Sequence, residues 1–285
     1  MKRIKNILVA LDLSGIDEKL IKYAAFLAAK LKAENVYFVH NIKKYEISAL
    51  FEEHLKDINL DEVIGDALNE KVETNFHAPV NWEVLISEDP YSESLIKYIT
   101  EKYQVDLAIV GNKKHERGTG VVSGKLLRSL SCDILSVPAS AREKMDIIWA
   151  GTDFSHESRK IFSRTKELQE DTNSSLKVVH VYSVPVQFSP YVSHETMEPK
   201  VEKHVKDKLD KFLKKLNYPY SVESLIFLGR ESGAAQKILN KLTSSEVDLL
   251  VVSDKGGNNF SPFAVGTVPE ELFNANLDVP VWVVK

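Results

Sequence analysis

Residues 251–272 read VVSDKGGNNFSPFAVGTVPEEL, the stretch best suited to chemistry. Gly256 and Gly257 allow a backbone to approach a ligand with no Cβ in the way. Gly266 precedes Thr267-Val268-Pro269-Glu270-Glu271, which spells a helix start: Thr as cap, then Pro and acids in the first turn. Free N–H groups and the positive end of a helix dipole favour a phosphate there. A second signal is Asp-x-Ser after an apolar run, present twice as Asp12/Ser14 and Asp153/Ser155. Such an Asp could meet a ligand at a strand end, or simply close the turn through its own backbone. Both readings stand on the residues alone.

Other chemistry finds little support. The dinucleotide fingerprint G-x-G-x-x-G is absent, since the first loops read DLSGID and GTDFSH. Gly124-Lys125 imitates a P-loop ending, but position 119 is Thr and position 126 is Leu. His40 and His180 close equivalent strands with no nucleophile or acid at recognisable spacing, which points to strand-end packing or loop hydrogen bonding. His194, Glu195, Glu198, Glu202 and His204 match no zinc spacing, and Pro199 interrupts them. Cys132, the one cysteine, allows no intrachain disulfide and reads as a small buried apolar residue in a reducing compartment.

The elements that must position these residues repeat along the chain. KNILVALDLS and DIIWAGTDFS recur 141 residues apart, VYFVH and LKVVH 140, and VDLAIVGNK and VDLLVVSDK 142. DILSVP and LDVPVWVV complete the series, with Pro138 set against Pro280. The runs Ile7–Leu11, Leu107–Val110, Leu249–Val252 and Val281–Val284 are nearly all apolar, as for parallel strands buried on both faces. Between strands lie helix stripes. One comprises Leu20, Tyr23, Ala24, Leu27, Ala28 and Leu31, with Asp17 as cap or first-turn acid; another runs from Val201 to Leu216, opposite a lysine face diluted by acids. The expected fold is α/β: two tandem doubly wound domains, 1–140 and 144–285, each with a five-stranded parallel sheet. Ligands in such sheets sit beyond the strands' carboxyl ends, where strand order reverses. Segments 43–61 and 183–200 follow the second strands and are expected to flank those ends.

Composition excludes further classes. The chain has 285 residues, 44% hydrophobic and 27% charged, enough for full cores. Residues 1–142 carry 19 basic and 21 acidic side chains, and the remainder 18 and 20, so neither half has a nucleic-acid binder's basic excess. No run reaches the ~20 apolar residues of a membrane span. MKRIKN precedes an apolar run too short for a secretory signal, so a cytoplasmic location is expected.

Taken together, these features resemble the universal stress protein family in tandem form. Its binding members carry G-x2-G-x9-G-[ST] after the fourth strand and an Asp after the first. The second copy reads Ser253-x2-Gly256-x9-Gly266-Thr267 with Asp153 upstream; the first reads Gly111-x2-Lys114-x9-Gly124-Lys125 with Asp12. The resemblance implies an adenine-nucleotide alpha-hydrolase-like fold, an intrachain pseudo-dimer and ATP, with or without Mg, as ligand. Asp153 would lie near the adenosine, Val181 would line the adenine pocket, and Ser253, Gly256, Gly257, Gly266 and Thr267 would surround the phosphates. Lys114 and Lys125 make the first site degenerate, although their charge could still hold a phosphate. Little catalysis is expected, at most slow ATP hydrolysis, and the two-domain chain could pair as a homodimer. The alternative is a non-nucleotide scaffold or carrier of another small or apolar ligand. An amidohydrolase-like or adenylate-forming enzyme ranks last, because its catalytic residues cannot be found.

Overall fold

The computed structural model describes residues 3–43, 58–113, 121–182, 194–229, 233–256 and 265–285. The expected flanking segments thus fall largely outside the described residues, as do Lys114 and Gly257. The chain divides into two compact units, Lys2–Glu143 and, apart from Met1, Lys144–Lys285.

In the first unit the order is β1 (Asn6–Leu11), α1 (Asp17–Leu31), β2 (Asn35–Ile42), α2 (Leu60–Asn75), β3 (Asn81–Glu88), α3 (Ser92–Lys102), β4 (Leu107–Asn112), α4 (Val121–Ser129) and β5 (Asp133–Pro138). The second has β6 (Ile147–Gly151), α5 (Ser158–Thr172), β7 (Ser175–Tyr182), α6 (His194–Lys215), β8 (Glu223–Leu228), α7 (Ala234–Leu242), β9 (Leu249–Ser253), α8 (Thr267–Asn274) and β10 (Val281–Val284). Each unit is a five-stranded sheet, ordered β3-β2-β1-β4-β5 and β8-β7-β6-β9-β10, with parallel pairing throughout. Strand order reverses between β1 and β4, and between β6 and β9. A crevice for a ligand opens at the carboxyl ends there.

The apolar patterns explain these elements. Every side chain of Leu107–Val110 and Val281–Val284 is buried, as strands covered on both faces require. The α1 stripe is buried from Leu20 to Leu31. Asp17 opens that helix as its first residue, not its cap, and is fully buried. The repeated Val-Asp-Leu has a structural cause at the opposite end from the crevice. Asp106 Oδ2 accepts the Lys5 and Asn6 N–H groups at 2.8 and 3.0 Å. Asp248 Oδ2 accepts those of Asp146 and Ile147, both at 3.0 Å. Each carboxylate fastens its strand to the entry of the neighbouring central strand, satisfying N–H groups the ladder leaves over.

Three expectations need correction. α6 runs through Pro199, which lies so near the helix start that the missing N–H disturbs only its first turns. Cys132 is only partly buried. Pro138 and Pro280 are not equivalent: Ile109 pairs with Leu135, while its counterpart Val251 pairs with Trp282. Pro280 therefore occupies the place of Asp133, and the second unit has five more residues between its last two strands. Both segments end in an apolar run beside a proline, and that likeness suggested the wrong register.

Candidate functional site

At the switch point of the second unit the strand ends and two helix starts enclose a cavity of about 310 Å³. β6 contributes Gly151, followed by Thr152 and Asp153; β7 contributes Val179, His180 and Val181; β9 contributes Val252 and Ser253. The start of α7 adds Ala234 and Ile238, and the start of α8 adds Gly266, Thr267, Val268 and Pro269. Asp153, Val181, Ser253, Gly256, Gly266 and Thr267, chosen from sequence, thus share one cavity.

Its floor is a close approach of two glycines. A Cβ on Gly256 would stand 3.1 Å from Asp153 Oδ2. One on Gly266 would stand 3.3 Å from the Pro269 ring and 3.6 Å from the Gly256 nitrogen. Gly266 has an ordinary φ of −66°, so closeness and not backbone geometry calls for glycine there. Its N–H donates to the Asp254 carbonyl at 2.8 Å, drawing the end of the loop back over β9. The first turn of α8 has no side-chain cap, and the Thr267 and Val268 N–H groups have no intrahelical acceptor. That end of the cavity attracts an anion. Ser253, where the motif has glycine, is buried, and its hydroxyl donates to the Lys255 carbonyl at 2.7 Å, bracing the turn.

Asp153 is held by its own turn. Oδ1 accepts the Ser155 N–H at 2.9 Å and the Ser158 hydroxyl at 2.7 Å, while Oδ2 lies against Gly256. Phe154 takes a left-handed φ of 61° to make this turn, as Leu13 does at 64° in the first unit. Phe154 also stacks on His180 with ring centroids 4.6 Å apart. His180 Nδ1–H donates to the Thr152 carbonyl at 2.8 Å. Burial, aided by the Lys208 charge, lowers the His180 pKa against the opposing pull of that bond and of Asp153. His40 makes the same bond to the Leu11 carbonyl at 3.0 Å. A bond kept by both units fastens the strand ends, the structural role expected of these histidines.

The first unit keeps the Asp-x-Ser turn, with the Ser14 N–H on Asp12 Oδ1 at 3.3 Å, but departs from this arrangement around it. Asp12 is mostly exposed and pairs with Lys113 at 2.5 Å. Desolvation raises its pKa, but Lys113 and the Ser14 contacts outweigh it and leave the pKa lowered. Asn41, counterpart of Val181, turns its amide to Asp89 and Ser92 and so ties down the loop after β3. Gly111 is closely packed, because a Cβ there would meet the Ile16 side chain at 3.1 Å.

Gly124 and Lys125 are not at a loop end. Both lie inside α4, which has begun by Val121. The buried pair Leu126-Leu127 matches Leu272-Phe273 in α8, which sets Val121 against Thr267 and Gly120 against Gly266. Counting nine residues along the loop missed this because the first loop is shorter. Lys125 pairs with Glu93 on α3 and pulls that carboxyl below the usual range. Sequence reasoning also passed over Ser158, Ala234 and Ile238. Ser158 could have been found from the repeat, since it faces Asp17 in the aligned copies.

An open parallel α/β unit with a ligand crevice at its switch point, written twice, is the class this geometry defines. The family model for the universal stress protein family matches residues 3–138 and again 145–285, so the chain belongs to that family. Among solved structures, it resembles a putative universal stress protein from Pseudomonas aeruginosa UCBPP-PA14, at 15% identity and a TM-score of 0.69, over 99% of this chain and 93% of that one. It also resembles a universal stress protein from Archaeoglobus fulgidus DSM 4304, at 17% identity and a TM-score of 0.68, over 100% and 99%. At such identities the likeness speaks for the fold. No protein in the curated comparison matches. Among the described residues no helix is long and apolar enough to cross a membrane.

Proposed function

We propose that this is a cytoplasmic stress-response protein whose second unit binds ATP or a related adenine nucleotide. The observation that carries the reading is the pair of close-packed glycines, Gly256 and Gly266, lying with Asp153 and the open start of α8 on one cavity. The N–H groups of α8 suit the phosphates, Val181, Val252 and Ile238 offer an apolar seat for a base, and Asp153 suits a hydroxyl or amino donor between them. Among the described residues no three His, Cys, Asp or Glu side chains gather as for a metal. In this reading Mg arrives on the nucleotide, and turnover is slow or nil, since phosphoryl transfer depends on positioned charge.

The apolar share of the cavity wall favours a second reading, a carrier of a small apolar ligand. Titration of ATP into the purified full chain and its Gly266→Trp variant separates the two. Saturable binding by the wild type, lost in the variant, supports the nucleotide site. No binding by the wild type at millimolar ATP refutes it, and binding that survives the substitution moves the site elsewhere.

A further inference from the structure

We infer that Ser158 is the positioning residue of the nucleotide site, aiming Asp153 at the cavity, and that Asp17, its counterpart in the first unit, gives Asp12 no such donor. The inference rests on the proposed nucleotide binding but concerns side chains in neither glycine motif.

In the second unit the Ser158 hydroxyl, buried and one residue into α5, donates to Asp153 Oδ1 at 2.7 Å. With the Ser155 N–H it fixes one oxygen, so that the other faces Gly256. The hydroxyl is a proton donor that a carboxylate cannot replace. Asp17 occupies the same place, fully buried at the first residue of α1. Its Oδ1 accepts the Asp12 N–H at 3.2 Å. Its Oδ2 has no hydrogen-bond partner and lies 3.9 Å from the Lys71 ammonium. Two carboxylates on one turn repel, and nothing at position 17 donates to Asp12. Asp12 Oδ1 accepts the Ser14 N–H at 3.3 Å, a longer bond than the 2.9 Å one at Asp153, and its Oδ2 pairs with Lys113. Ser158 Oγ likewise accepts the Asp153 N–H, at 3.4 Å, so the two halves differ in that Ser158 also donates to the site carboxylate.

The test is a double-mutant cycle read by ATP titration of the full chain. Ser158→Ala should weaken binding about tenfold, the worth of one hydrogen bond to a charged group, and Ser158→Thr should retain it. In an Asp153→Asn background Ser158→Ala should have almost no further effect, because Ser158 acts through Asp153. Equal, additive losses in both backgrounds would overturn the inference, since a purely structural role would give them. Ser158→Asp, a residue the first unit already accommodates, supplies a ligand-free readout. Its crystal structure should show Asp153 turned away from Gly256, and an unmoved Asp153 would refute the positioning role. If the wild type binds no nucleotide, the functional reading fails, and that crystal structure still decides the role of Ser158.

Discussion

Asp17 is the most exposed to test of any single residue in this chain, because it is an acid with no surface. Burial raises its pKa, helped by the Asp12 charge and opposed by the backbone N–H groups it accepts and by Lys71. The folded protein therefore keeps this proton to higher pH than the unfolded chain. Between the ordinary carboxylate value and the raised one, the folded state binds more protons, so stability falls as pH rises. Asp17→Asn removes that loss while its amide oxygen can still accept the N–H groups. The variant should melt above wild type at pH 7, with the gap closing below about pH 4. A variant that melts lower at neutral pH would show that Asp17 is stabilising as an ion. The sequence displays Asp17 beside Asp12 plainly, but not that one is buried and the other exposed.

At the scale of elements, most of the architecture was legible. Apolar runs of strand length, the stripe from Leu20 to Leu31 and the repeated Val-Asp-Leu depend on local pattern, and the sheet uses each directly. The positions of Gly124 and Lys125 were not legible, because a fixed spacing cannot reveal a shortened loop. Only the buried Leu126-Leu127 and Leu272-Phe273 pairs set the two helices in register. The same limit misplaced Pro280. The Val-Asp-Leu carboxylates lend themselves to a prediction at this scale. Asp248→Ala strands two backbone N–H groups at the entry of β6 and should cost about 3 kcal/mol by denaturant unfolding. ATP affinity should be unchanged in the folded fraction, because Asp248 is at the amino end of the sheet. A cost under about 0.5 kcal/mol would mean those N–H groups find other partners.

For the whole molecule, one scaffold is duplicated, and the proposed site belongs to its second copy. The second unit keeps the open helix start, the close glycines and a donor for its carboxylate. In the first unit Asp12 is paired with Lys113, Asn41 is tied to the loop after β3, and Lys125 is paired with Glu93. The most direct check is a count of ATP bound per chain at saturation, by equilibrium dialysis, for wild type and for Lys114→Gly with Lys125→Ser. The expectation is one ATP per chain in both, since the paired substitution restores a motif by counting but leaves Asp17 in place and position 125 inside a helix. Two ATP per chain in either protein would contradict it, as would none in the wild type.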